Sequence, residues 1–127
     1  MSQYTDGNTK AFVADEAIAV NLRVKLDADG RVTTAGLTDK EIGTAITPAF
    51  AAGDVITVQL RTAAGTVKMV AIEALAVGAA VYTETDGKVQ DTAQATSFLI
   101  GTALEAATAD GDVIEVLRNS HGDTAAS

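Results

Sequence analysis

The sequence predicts an all-β fold: an internally duplicated, small β-barrel or sandwich-like domain built of hairpins, with an extended N-terminal arm. Three observations lead there. Residues 42–58 (IGTAITPAFAAGDVITV) return as residues 100–116 (IGTALEAATADGDVIEV), identical at eleven of seventeen positions without a gap, where ordinary residue usage gives roughly one or two identities. Asp29-Gly30 follows the β-prone run Arg23–Leu26, and Asp86-Gly87 follows Ala80–Thr83; both residues of an Asp-Gly pair tolerate the positive φ of a type I′ hairpin turn. Finally, Ile56, Val58 and Leu60 alternate with Thr57, Gln59 and Arg61, the period-two signature of a half-buried strand.

The register of the duplication extends outward. Residues 9–32 align without a gap on residues 66–89, and one extra residue enters the second copy between Val89 and Ile100. The expected organisation is an arm over residues 1–8, a single β domain over 9–118 made of repeats 9–61 and 66–118, and a polar tail over 119–127. Repeats kept in this way report on scaffold more than on chemistry, because each copy must rebuild the same turns and buried faces.

In chain order, residues 1–8 are polar and aperiodic, and residues 10–14 read as the first strand. Asn21 stands where the second copy has Gly78; both residue types accept positive φ, which predicts the same left-handed bend in each copy. In IGTAI and IGTAL, the Gly at the second position permits close approach of a neighbouring backbone. The Ala-rich links that follow are expected as loops or single helical turns, with Pro48 against a sustained helix in the first copy. Gly53-Asp54 and Gly111-Asp112 are matched turns before a strand. Residues 66–72, apolar on both faces apart from Lys68, suit a central strand.

Composition bounds the function. The chain of 127 residues has 47% hydrophobic but only 4% aromatic residues, so its core is built from Val, Ile, Leu and Ala. Units of about fifty residues bury little surface alone, and sharing one core between copies or between subunits is the expected remedy. Nine basic against seventeen acidic residues give a net charge of -8. No cluster of cations is present to displace counterions, so direct binding to nucleic acid is not expected. There is no cysteine and hence no disulfide or thiolate metal site. The start, MSQYTDGNTK, has no apolar signal-peptide core and no window approaches a membrane span. The protein is therefore expected in the cytoplasm where it is made, unless an assembly carries it elsewhere.

No constellation of catalytic groups emerges, and no cofactor or metal is expected. Asp27, Asp29 and Gly30 imitate the opening of a calcium loop, but the third acidic ligand and the closing Glu are missing at the required spacing, which favours a hairpin turn. His121 has no orienting partner nearby in the chain. No Ser lies in a nucleophile elbow, and no phosphate loop exists. Glu16 and Glu73 are matched in the repeat, as equivalent loop positions are. Lys68, in V-K-M, faintly resembles the carrier lysine of biotinyl and lipoyl domains. That lysine stands on an exposed turn, and Lys68 lies inside an apolar run, at the edge of a core. The residues singled out for turns are Asn21, Asp29, Gly30, Gly53, Asp54, Gly78, Asp86, Gly87, Gly111 and Asp112.

The phrases AVGAAVYTETDGKV and IGTALEAATADGDVIEVLR resemble a family of small phage capsid cement, or head decoration, proteins. The shared pattern is a small-residue loop ending in Gly, a Val-Tyr strand, an Asp-Gly turn, an Ile-Gly strand with Ala and Leu, and a Gly-Asp turn before the last strand. Residues 77–117 follow it closely and the first copy more loosely. The resemblance implies a β-rich, β-tulip-like fold and a structural, non-enzymatic virion protein on the outer capsid surface. Such a protein binds the major capsid protein as a homotrimer and stabilises the expanded head, touching no membrane. An arm comprising Ser2, Gln3, Tyr4, Thr5, Asp6, Gly7, Asn8, Thr9 and Lys10 is then expected to bind the capsid by adding a strand to a sheet edge. The competing expectation is a small β-barrel that holds a ligand or carries a prosthetic group on Lys68.

Overall fold

The computed structural model describes residues 7–118 and 124–125. These form eleven β-strands, in chain order β1 Thr9–Val13, β2 Arg23–Leu26, β3 Val32–Thr34, β4 Gly43–Ala45, β5 Val55–Leu60, β6 Val67–Val70, β7 Ala80–Thr83, β8 Val89–Gln90, β9 Phe98–Ala103, β10 Val113–Arg118 and β11 Thr124–Ala125. All ladder pairs are antiparallel. The first sheet has the order β1-β5-β4-β2-β3 and the second β6-β10-β9-β7-β8, with β11 added to β9. Replacing each strand of the first sheet by its aligned partner reproduces the order of the second.

Each sheet curls towards closure. A parallel bridge joins Ala14 to Val32 in the first lobe and Ala71 to Val89 in the second, so that the two ends of each five-strand path meet at one point. Inside each curl sits a separate core: Ile18, Val24, Val32, Ile56 and Val58 in one lobe, and Met69, Leu75, Val81, Ile100, Ile114 and Val116 in the other. The expectation of one core shared between copies is thus corrected. Closure lets a sheet of small aliphatic side chains bury its inner face without a partner, and the lobes meet through polar groups instead.

Close approach explains the glycine of each Ile-Gly strand. A Cβ on Gly43 would fall 2.7 Å from Val58 Cγ1, and one on Gly101 would fall 2.8 Å from the Leu117 carbonyl carbon. One further expectation is corrected, and one left open is decided. β6 lies at the edge of its sheet, not in its centre; its apolar residues Val67 and Met69 are buried and Lys68 is exposed, because one side of the strand faces the barrel core. The Ala-rich links contain no helical turn: Ala49 bridges Ile18 and Ala107 bridges Leu75, so main-chain pairing holds both as extended loops.

Candidate functional site

The lobes are joined around Arg23. Its side chain is fully buried and donates to the carbonyls of Glu84 at 2.6 Å and Lys88 at 3.1 Å in the second lobe, and of Gly36 at 3.1 Å in its own. Its charge partner is Glu41 Oε1 at 3.4 Å, equally buried. The second lobe's turn is seated by this grip. Gly87 N–H donates to the Ala35 carbonyl at 2.8 Å, and a Cβ on Gly87 would lie 2.9 Å from Thr34 Cγ2 and 3.0 Å from Leu22 Cβ. Thr83 Oγ1 donates to the Leu37 carbonyl at 2.6 Å and Arg118 Nη1 to the Leu60 carbonyl at 3.2 Å. Lys40 Nζ stands 5.1 Å from the Phe98 ring centroid, a cation-π contact across the same seam.

A cleft of about 660 Å³ opens beside the junction, lined on one side by Val20, Asn21, Ile46 and Gln59 and on the other by Thr66, Val67, Lys68, Glu105 and Glu115. Its carboxylates are engaged in structure: Glu115 Oε2 accepts from Thr66 Oγ1 at 2.6 Å and Glu105 Oε1 from the Glu115 amide at 2.8 Å. Lys68 lies on β6 opposite Glu115 in the ladder, within a strand and not on the exposed turn that a prosthetic-group carrier requires.

The turn residues picked from the sequence are placed as follows. Asn21 has φ 70° and Gly78 φ 87°. Asp86 and Gly87 both have positive φ, at 59° and 72°, and Lys88 N–H donates to the Thr85 carbonyl, a type I′ turn. The first copy departs from this. Gly30 alone has positive φ, at 81°, and Asp27 Oδ1 accepts from the Asp29 and Arg31 amides at 2.9 and 3.1 Å. The Gly30 amide also donates to the Asp27 carbonyl at 3.1 Å, so the turn is centred on Ala28-Asp29 with Gly30 after it, Asp29 keeps ordinary φ and the type I′ expectation is corrected at this turn.

Gly53 and Gly111 share φ 97°. Asp54 Oδ2 accepts from the Phe50 and Ala51 amides at 2.8 and 3.2 Å, and Asp112 Oδ2 accepts from the Thr108 and Ala109 amides at 2.7 and 3.2 Å and from Thr108 Oγ1 at 2.8 Å. The Thr108 amide, then its hydroxyl, hold the Asp112 carboxyl below its ordinary value. Of the arm, Gly7, Asn8, Thr9 and Lys10 are placed, the last two at the start of β1, while Ser2, Gln3, Tyr4, Thr5 and Asp6 lie outside the described residues. His121 does too.

Two acidic pairs escaped the sequence reading. Asp15 joins Asp27 and Asp29, with one carboxylate oxygen of each within 4.8 Å of the others. A hydrogen bond with Asp27 raises the Asp15 carboxyl and lowers that of Asp27, and Arg31 Nη1 stands 3.6 Å from Asp15 Oδ1. Glu73 is raised by the same kind of bond to Asp91. Each pair spans two loops far apart in the chain, which no local motif records. Arg23 and Glu41 were also missed, although a signal existed: in the register of the duplication they stand opposite Ala80 and Leu99, charged residues where the copy is apolar.

Residues 57–118 match the phage cement protein family. That segment runs from within β5 to the end of β10 and contains the whole second lobe, the copy in which the sequence pattern is most complete. A solved structure described as the head fiber gp8.5 N base in bacteriophage phi29 superimposes with a TM-score of 0.72 at 16% identity, covering 88% of this chain and 93% of that one. At that identity the likeness speaks for the fold, which both lobes therefore share with a phage head protein. No curated protein matches the chain. Among the described residues, no helix is long and apolar enough to cross a membrane.

Proposed function

We propose that this protein is a capsid cement: it binds the major capsid protein on the outer surface of a phage head, as a homotrimer, and stabilises the expanded shell without making or breaking a bond. The observation that carries this reading is the cement-family match over the whole second lobe. The use of polar groups supports it. The most buried cation, Arg23, is spent on carbonyls of the junction, and the carboxylates at Asp54 and Asp112 cap loops, so the unusual polar environments serve the scaffold and the reading assigns no catalytic role. The net charge of -8 opposes direct contact with nucleic acid.

The mechanism is thermodynamic. A ligand that binds only the assembled, expanded shell stabilises it by mass action, and a trimer engaging several subunits at once turns weak contacts into a strong one. The arm, Ser2 to Lys10, is assigned the capsid contact. β1 is an outer strand of its sheet, paired with β5 alone along its ladder, which supports the reading that the residues leading into it add a strand to a neighbouring sheet. On this account the arm (1–8), the two-repeat body (9–118) and the tail (119–127) are separate functional segments.

The test is the heat resistance of expanded heads. Heads incubated with the full-length protein should rupture at a higher temperature than bare heads, and protein lacking residues 1–8 should leave them unprotected while keeping its own mass and β-sheet spectrum. Heads that rupture at the same temperature with and without full-length protein would rule out the cement reading; protection by the truncated protein would rule out the arm.

A further inference from the structure

Phe50 is 83% exposed, the highest value among the exposed large hydrophobic residues, in a chain with only three Phe, two Tyr and no Trp. Its loop is well tied. Asp54 holds the Phe50 and Ala51 amides as Asp112 holds those of Thr108 and Ala109. The two repeats thus build one loop and place different residues on it. Thr108 returns its hydroxyl to Asp112 at 2.8 Å, so a polar residue suits the position and the fold gains nothing from a phenyl ring there.

Beside the ring lies an apolar groove of about 410 Å³, lined by residues 17–20, Pro48, Ala49 and Phe50 itself. A projecting ring and a hollow of matching chemistry therefore share one face. The segments that build the ring and the groove carry no charge of their own, and Asp54 at the base of the loop is engaged by its amides. Residues 17–22 and 42–53 contain no ionisable side chain, whereas each chain carries a net charge of -8, so two copies repel wherever charged surfaces meet.

We propose that Phe50 anchors a contact between copies of this chain, the ring of one copy entering the groove beside Phe50 of the next. The ring and the groove are distinct patches of each copy, so a ring entering the groove of the next copy makes a heterologous contact, which closes into a ring of copies when the rotation allows. Each chain has one such face, since the second repeat carries Thr108 and Ala106 where the first has Phe50 and Pro48. The proposal deepens the homotrimer reading above and rests on it for the number three.

The test is Phe50→Thr, which installs the residue that the same loop already carries in the second repeat, with Ala19→Asp as a second variant placed at an exposed position within the groove. Light scattering over a range of concentrations reads the mass, and far-UV circular dichroism confirms the fold. Wild type should be a trimer. Either variant should weaken self-association about 30-fold or more, the loss expected of an interface hot spot, with an unchanged spectrum. A wild-type monomer, or a Phe50→Thr protein that keeps the wild-type mass, overturns the proposal. Loss of head binding by Phe50→Thr from a wild type that is already monomeric also overturns it and hands the ring to the capsid. Self-association as predicted, in a protein that ignores heads, leaves this contact standing and removes the cement reading alone.

Discussion

Arg23 reaches across the molecule to the main chain of Glu84, its Nη2 donating to that carbonyl at 2.6 Å. The two residues are 61 apart in the chain and belong to different lobes, and the guanidinium that joins them is fully buried together with Glu41. Glu41 Oε2 has no hydrogen-bond partner among the described residues. Removing Arg23 therefore strands a buried carboxylate and frees the second lobe's turn. Arg23→Met is expected to cost about 3–5 kcal/mol, the usual penalty for breaking one side of a buried pair. Arg23→Met with Glu41→Leu should recover a large part of it, since the second lobe is apolar at both positions. Urea unfolding of the two variants checks this; equal losses would show that the carboxylate is not the source of the cost.

The glycines separate close packing from backbone conformation. Gly43→Ala drives a methyl against Val58 and the Gln59 carbonyl, and Gly101→Ala does the same against Leu117. Each should cost about 3 kcal/mol or more, at the top of the range for overpacking. Gly30 has open space around it but φ 81°, so Gly30→Ala should cost only the left-handed penalty of about 1–2 kcal/mol. Denaturant midpoints that place Gly30→Ala with the other two would contradict the packing account.

Acidity acts on two carboxylates of the second lobe in opposite senses. Glu73 is raised from 4.5 by its bond to Asp91; its contribution to stability is present below 4.5 and is lost as pH rises through the raised value. Glu73→Gln should therefore raise the melting temperature at pH 7, with the gain vanishing near pH 4. Asp112 is lowered from 3.8; its contribution is present above 3.8 and is lost as pH falls through the lowered value. Asp112→Asn should lower the melting temperature at pH 7 and converge with wild type in strong acid. Thermal melts across pH read both, and parallel curves for either variant would refute the assignment.

Much of this fold was legible because the chain states it twice. The strands Arg23–Leu26 and Ala80–Thr83 could be read from the turns that close them, since a turn is a local event recorded in adjacent residues. What escaped is non-local. RVKL reads as an ordinary half-exposed strand, and nothing within it says that Arg23 points into a junction; only comparison with Ala80 marks it. β6 was misplaced because burial by a curled sheet and burial between two strands leave the same apolar run. The first Asp-Gly turn differs for a local reason: the main chain closes from the Gly30 amide to the Asp27 carbonyl, one residue earlier than an Asp29-Gly30 centre requires, and the Asp27 carboxylate adds two amides to that closure. The Phe50 face was invisible because an exposed and a buried phenylalanine are the same letter.

The most direct measurement is co-sedimentation of the full-length protein with expanded, undecorated phage heads over a range of protein concentrations. The account predicts saturable binding at a fixed ratio of protein to capsid subunits, independent of packaged DNA, and reduced by Phe50→Thr through loss of multivalency. Protein that stays in the supernatant at every concentration, or pellets only when DNA is exposed, would contradict it.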